Sequence, residues 1–337
     1  MTQPTILTII LNYRTPELTI KSLGAAVREM EGLNGEIVVV DNGSQDDSCQ
    51  MIARAIERNG WGKDGFVQLK QTGRNGGFGA GNNFAMRLGL SSGKKPDFYY
   101  ILNSDAWPEK GAIRVLLKFM LENRQTGIAG SYIRGVNGEP HQTAFRFPTI
   151  AGEFEGAVRT GFVSRLLQNA IVPLPLPSEV ARVDWVAGAS AMFRRRMLDQ
   201  IGLFDETFFL YFEETDLCRR AAQAGWHTHY IPASEVVHVG SVSTGMKTWS
   251  RTPQYWFESR LHYFTKNHGR RYLVVATLAR VAGAVIWRFR YAISSRPLGD
   301  PPHFLRDLIA HAIKAAVRRG PKETTVPMVQ QLTEDAK

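Results

Sequence analysis

An α/β fold of the doubly wound type is predicted from three observations. The first half of the chain alternates short apolar runs with helical stretches. The runs are continuously apolar, as in Thr5-Ile6-Leu7-Thr8-Ile9-Ile10-Leu11, which marks strands covered on both faces of a parallel sheet. Successive runs also end in small polar turn residues, at the sheet edge where such folds hold their ligands.

The elements follow in order. Residues 5–13 form the first strand. Pro16 opens a helix to residue 30, because a missing N–H costs nothing in a first turn, with Leu18, Leu23, Ala26 and Val27 inward. A second strand over 36–40 ends in Asp41-Asn42-Gly43-Ser44, and a helix runs on to residue 58. A third strand over 66–71 enters a Gly/Asn loop and then a helix over 80–90. The fourth, 97–102, ends in Asn103-Ser104-Asp105; Pro108 is expected to open the next helix, and 127–134 to form a fifth strand. The rhythm breaks over 135–182, where Pro140, Pro148 and Val172-Pro173-Leu174-Pro175-Leu176-Pro177 predict an insertion of loops and a short helix. Regular structure resumes over 183–193, with a late strand over 227–231 and helices from Pro253. The expected division is an α/β domain over 1–250, a basic helical region over 251–320 and a flexible tail over 321–337.

Composition sets bounds on partners. At 337 residues and 44% hydrophobic, the chain can bury a substantial core. Cys49 and Cys218 make neither a disulfide scaffold nor a metal knuckle. Met-Thr-Gln-Pro leads straight into a strand, so no signal peptide is expected and the cytoplasm is the expected location. The net charge of +10 gathers in the C-terminal part, where Arg and Lys dominate from Arg260. That implies an anionic partner, either nucleic acid or an anionic membrane. Nucleic acid is disfavoured, since the basic residues sit in apolar helices without a stacking platform. Residues 272–287 are apolar but interrupted by Arg280, and Trp287, Arg288, Arg290 and Tyr291 mark the far end. Two readings stand: an interfacial helix, peripheral on the inner membrane face, or a buried helix of a C-terminal subdomain. The same helices are an expected surface for a homodimer.

Chemistry gathers at a few places. In Phe208-Phe209-Leu210-Tyr211-Phe212-Glu213-Glu214-Thr215-Asp216 an aromatic run leads into three carboxylates in a first helical turn. Such acids are either ordinary capping groups or, beside a dry aromatic wall, candidates for general-base work. The strand ends contribute Asn12 and Tyr13; Asp41, Asn42 and Ser44; Arg74, Asn75 and Gly76; and Asn103, Ser104 and Asp105. Four polar ends on one edge suit a polar ligand better than turn chemistry alone. Gly77-Phe78-Gly79-Ala80-Gly81-Asn82 is an imperfect dinucleotide fingerprint, which leaves an NAD-linked oxidoreductase as the alternative reading. As a loop of close backbone approach to phosphate or sugar it is the better match. Asp105 is placed to hold Mg²⁺ or Mn²⁺ on a diphosphate. His238 either adds a nitrogen ligand, which Mn²⁺ tolerates, or is structural.

Taken in order, these segments resemble the family 2 glycosyltransferases of GT-A fold, nearest their bacterial rhamnosyltransferase-like branch. The likeness covers about residues 5–245. It runs through Thr8-Ile9-Ile10-Leu11-Asn12-Tyr13, Val38-Val39-Val40-Asp41-Asn42-Gly43-Ser44, the glycine loop and Leu102-Asn103-Ser104-Asp105. It continues through Asp184-Trp185-Val186-Ala187-Gly188-Ala189 with Arg194 and Arg195, then Gly202-Leu203-Phe204-Asp205-Glu206, the carboxylate segment and His238. The resemblance implies inverting transfer from a nucleotide diphosphate sugar, with dTDP-rhamnose the favoured donor and a lipid-linked or polysaccharide acceptor. It implies a nucleotide-sugar site from the strand ends and Asn82, with Asp41 on the base. Trp185, Gly188 and Arg220 fall on the acceptor side, and Asp105 and His238 on the metal. Glu214 takes the place of the family's base, with Glu213 and Asp216 beside it and Glu213 as rival. Two positions depart from the family pattern: Asn103 stands where many members have an acid, and Glu214 replaces the commoner Asp.

Overall fold

The computed structural model describes residues 3–240, 249–294 and 300–317. The tail expected over 321–337 lies outside the described residues. In chain order the elements are β1 (Thr5–Asn12), α1 (Pro16–Met30), β2 (Asn34–Asp41), α2 (Ser48–Arg58), β3 (Val67–Gln71), α3 (Gly77–Leu88), β4 (Phe98–Asn103) and β5 (Ala106–Pro108). Then come α4 (Ala112–Glu122), β6 (Thr126–Arg134), β7 (Ala144–Phe145), α5 (Ile150–Val158), α6 (Gly161–Leu166), β8 (Ala181–Val183), β9 (Trp185–Val186) and β10 (Ser190–Arg194). The chain closes with α7 (Arg195–Ile201), α8 (Glu213–Gln223), β11 (His227–His238), α9 (Gln254–His268), α10 (Arg270–Ser294) and α11 (Phe304–Val317).

The main sheet has the order β3-β2-β1-β4-β10-β6-β11-β5, with β8 also on β11. β3, β2, β1 and β4 are mutually parallel, and their apolar residues pack against helices on both faces. One face carries Ile6, Ile10, Val39, Leu102 and Ile113 with α1 and α4; the other carries Leu7, Ile9, Val38, Tyr99 and Leu217 with α3 and α8. Burial on both faces is what the continuous apolar runs require.

Several local expectations are corrected. Pro108 does not open a helix; it ends β5, which pairs antiparallel with the last residues of β11, and α4 starts at Ala112 after a left-handed Gly111. The stretch 183–193 is three short strands, and β10 runs antiparallel between β4 and β6, so the sheet is mixed. The late strand is longer than 227–231: a bulge between Ile231 and Glu235 lets β11 continue to His238. The third helix begins inside the glycine loop, at Gly77. The insertion over 135–182 contains α5 and α6, and α5 lies against α10.

Candidate active site

The expected ligand edge is built by register. Asn12 pairs with Asp41 and Leu11 with Asn103 at the carboxyl ends of β1, β2 and β4. The antiparallel β10 brings its amino end to the same edge, where Ser190 pairs with Leu102 and Asn103 N–H donates to the Ala189 carbonyl. Gly188 therefore sits beside Asn103.

On the β1–β2 side the polar groups hold one another. Asn12 Nδ2 donates to Asp41 Oδ1 (2.7 Å) and Ser44 Oγ (3.1 Å), and its Oδ1 accepts from Thr19 (2.7 Å). Ser44 N–H donates to Asp41 Oδ2 (3.1 Å). Tyr13 is half-buried beside Arg14, whose guanidinium lies 5.3 Å from its ring centre and bonds the Ser44 carbonyl. Asn42 Nδ2 bonds Asn75 Oδ1 (3.0 Å) and the Gly77 carbonyl (3.1 Å), so it ties the β2 turn to the glycine loop. Gly76 caps α3, and Asn82 is buried one turn later, donating to the Phe78 carbonyl while its own Oδ1 lacks a partner. Ser104 Oγ and Thr15 Oγ1 meet at 3.0 Å.

At the β4 end, Asp105 is buried. His238 Nε2 lies 3.1 Å from its Oδ1 and 3.4 Å from Asn103 Nδ2, and Gly240 N–H donates to Oδ2 (3.2 Å). Burial pushes the Asp105 carboxyl up, but the bond and charge of His238 outweigh it and hold the group below its ordinary value. A buried carboxylate with an imidazole and an amide beside it suits a divalent cation of the Mg²⁺ or Mn²⁺ class. Among the described residues no group of three or more His, Cys, Asp or Glu gathers as a metal cage. In the chemistry of their donor atoms, Asp105, His238 and Asn103 fit such an ion.

The carboxylate segment closes the cleft from the other side. Gly77 lies so close to it that a Cβ there would stand 2.0 Å from the Phe209 carbonyl oxygen, and Phe78 N–H donates to that oxygen (3.0 Å). Tyr211 and Phe212 both adopt left-handed backbone (φ 69° and 68°), uncommon for aromatic residues, and turn the chain abruptly into α8. Glu213 is 2% exposed and Glu214 half-buried; the Oε2 of each is buried and has no hydrogen-bond partner among the described residues. Burial, and then the charge of Glu214, raises the Glu213 carboxyl well above its ordinary value. Burial raises Glu214 too, opposed by its own backbone N–H and that of Gly188. A Cβ on Gly188 would lie 3.0 Å from the Phe78 ring and 3.5 Å from Glu214 Oε1. Gly188, Phe78 and Glu214 thus share one small space.

Asp216 and Arg220 face elsewhere. Asp216 is fully buried, bonding Arg220 Nε (2.8 Å), Lys266 Nζ (2.8 Å) and Asn267 (3.1 Å). Arg220 donates to the Ile201 and Leu203 carbonyls. Trp185 stacks on Phe145 (3.9 Å, 9°) and bonds the Arg146 carbonyl. Arg194 is spent on the carbonyls of Thr126 and Asn123, and Arg195 pairs with Asp97 and Asp199. Lys266 and His262 escaped the sequence reading, and Asp205 and Phe78 entered it only as members of their segments, without a role of their own. Asp205 bonds both His262 (2.9 Å) and Lys266 (2.8 Å), contacts made across 57 and 61 residues that leave no local signature. An open groove of about 840 Å³ where β6 and β11 begin is lined by Arg124, Arg196, Trp226, His227 and His229, and by none of the site residues above.

Residues 4–272 match the family described as Glycosyltransferase like family 2. The chain belongs to that family. Among its curated relatives is an N-acetylglucosaminyl-diphospho-decaprenol L-rhamnosyltransferase of Mycobacterium tuberculosis, 29% identical over 221 residues, which are 62% of this chain and 68% of that protein. Rhamnosyltransferase WbbL of Escherichia coli is 26% identical over 164 residues, 48% of this chain and 60% of the relative. A solved mannosyltransferase from Pyrobaculum calidifontis, in complex with GDP-Man and Mn²⁺, has the same fold at a TM-score of 0.56 and 17% identity, covering 95% of this chain and 82% of that one. The family 2 protein described here is therefore a glycosyltransferase of GT-A fold with added C-terminal helices. The oxidoreductase alternative finds no support in these comparisons.

Proposed function

We propose that this glycosyltransferase moves L-rhamnose from dTDP-rhamnose to a hydroxyl of a lipid-linked or polysaccharide acceptor, with inversion, and that Glu214 is the general base. The observation that carries this reading is the unequal placement of two adjacent carboxyls. Glu214 is part-exposed and sets its Oε1 beside Gly188, while its Oε2 is buried; Glu213 is almost wholly buried. A sugar hydroxyl is a poor nucleophile and needs a carboxylate in hydrogen-bond reach. Glu214 accepts the acceptor's proton as its oxygen forms the bond to the anomeric carbon and the bond to the diphosphate breaks; one displacement inverts that carbon. Glu213 keeps its proton, since two neighbouring buried carboxylates do not both ionise readily.

The donor lies along the strand ends. Asn12, Tyr13, Asp41, Asn42 and Ser44 cradle the nucleotide, while Asn75, Gly76, Asn82 and Ser104 line the side toward the sugar. Asn103, Asp105 and His238 would hold a divalent cation, Mg²⁺ or Mn²⁺, which neutralises charge on the departing diphosphate. Gly188 and Trp185 border the acceptor, and Asp216 and Arg220 position the base helix. The names of the relatives, rhamnosyltransferases and one on a decaprenol-linked sugar, favour the donor and the lipid-linked acceptor.

The test is a nucleotide-sugar panel on wild-type protein and two variants. dTDP-rhamnose is the expected substrate. Glu214→Gln lowers kcat by about 10²–10⁴-fold with the fold retained by circular dichroism, and Glu213→Gln costs much less. Equal losses, or a wild-type rate in Glu214→Gln, would move the base elsewhere.

A further inference from the structure

Helix α10 is committed on one side and bare on the other. On its inner side a Cβ at Gly283 would stand 2.6 Å from the Phe154 carbonyl oxygen and 2.9 Å from the Ala157 Cβ, so α10 and α5 meet at close range. Tyr272 OH accepts from Ile150 N–H, and Thr277 Oγ1 accepts from Arg260, which is itself buried and paired with Glu153 (2.8 Å). Arg280, in mid-helix, pairs with Asp300 (3.3 Å) and lies over the Phe304 ring. On the outer side Val274, Leu278, Val285, Ile286 and Phe289 follow helical spacing in one stripe, and Phe289 is 71% exposed. Within residues 270–292 an 18-residue window reaches a mean hydropathy of 1.5, yet only 17% of that window is buried.

Length and apolarity alone would allow a crossing of a bilayer. The inner-side bonds argue against it, because leaving the domain would expose the Gly283 seam, part Tyr272 from Ile150 and take Thr277 from the buried Arg260. A second copy of this chain is the other candidate occupant. α10 carries no acidic residue, while Arg270, Arg271, Arg288 and Arg290 stand at its two ends, and the whole chain is at +10. Pairing two such faces would set arginines against arginines. A sheet of anionic headgroups over an acyl layer satisfies the stripe and its basic ends together.

We infer that the outer face of α10 lies flat in the headgroup–acyl boundary of an anionic bilayer. The docked element is tied to the catalytic unit: α9 precedes it directly and holds α8 through Lys266 and Asn267 on Asp216. This deepens the proposed function by naming where a lipid-linked acceptor is met. Its test uses neither donor nor acceptor, so its failure and that of the rhamnosyl reading are told apart.

The experiment is co-sedimentation of the full chain with phosphatidylcholine vesicles with and without phosphatidylglycerol. Binding is expected on the phosphatidylglycerol vesicles, weakening with salt. The pair Leu278→Glu and Phe289→Glu should lower partitioning about tenfold or more, while Val136→Glu, on an exposed residue in the insertion, leaves it unchanged. Should the Glu pair fail to fold by circular dichroism, Leu278→Ser with Phe289→Ser takes its place. Absence of binding to phosphatidylglycerol vesicles overturns the inference, as does partitioning that the substitutions leave intact. A dimer in light scattering that the same substitutions dissociate, with vesicle binding absent, would assign the face to a second copy.

Discussion

At the scale of single residues, the Glu213–Glu214 pair carries an energetic cost along with its function. Burial disfavours the charged form of Glu213, so its folded value lies above its unfolded one. The sign follows from proton binding. Between the two values the folded state holds more protons than the unfolded chain, so stability falls as pH rises through that window. Glu213→Gln removes the ionisation and should stabilise the protein at about pH 7.5, by on the order of 1 kcal/mol. The gain should vanish at about pH 3, below the unfolded value of about 4.3, where the glutamate is neutral in both states. Thermal melts of both proteins at the two pH values check this, and a destabilised Gln variant at the higher pH would mean that Glu213 is ionised in the fold. If Glu214 is the base as proposed, its raised value should place the acid limb of the pH–rate profile above that of an ordinary glutamate, which a pH–rate series checks.

At the scale of elements, the glycine loop and the aromatic turn act as one piece. Gly77 has φ 88° and abuts the Phe209 carbonyl, whereas Gly73 has φ 77° with open space around it. Both lose a favourable glycine conformation on substitution, but only at position 77 does a methyl collide with backbone. Gly77→Ala should therefore cost about 1–3 kcal/mol and depress kcat, because Phe78 and Glu214 shift together. Gly73→Ala should keep near-wild-type kcat; equal kcat in the two variants would separate the loop from the base. This contact also marks where sequence reading stops. The four parallel strands were legible because burial on both faces writes a continuous apolar run, and their polar ends because turns need Asn, Asp, Ser and Gly. Pro108 misled because a proline suits the end of a short edge strand such as β5 as well as a helix start. The antiparallel β10 was hidden, since a strand buried in a sheet centre reads alike in either direction. The strap contact of Gly77 with Phe209 spans 132 residues and has no periodicity to betray it.

At the scale of the whole molecule, the C-terminal helices are structural members of the catalytic unit. Asp216 is fully buried and shared between Arg220 of its own helix and Lys266 of α9; Lys266 also reaches Asp205, which His262 bonds as well. Burial pushes the Asp205 carboxyl up, but these bonds outweigh it and hold the group far below its ordinary value. Through it α8, which begins at Glu213, is fixed against α9, and α9 against the helix with the apolar outer face. Lys266→Met deletes the one cation among the described residues that joins both aspartates. Partial exposure of Lys266 softens the loss, so a stability cost of about 1–3 kcal/mol is expected. Because the proposed nucleotide site on β1 and β2 shares no bond with this cluster among the described residues, the donor KM should stay near wild type while kcat falls. Lys266→Arg should recover much of the rate by restoring the charge. A merely structural lysine would lower stability and leave kcat untouched below the melting range; that result would detach the base helix from the C-terminal scaffold.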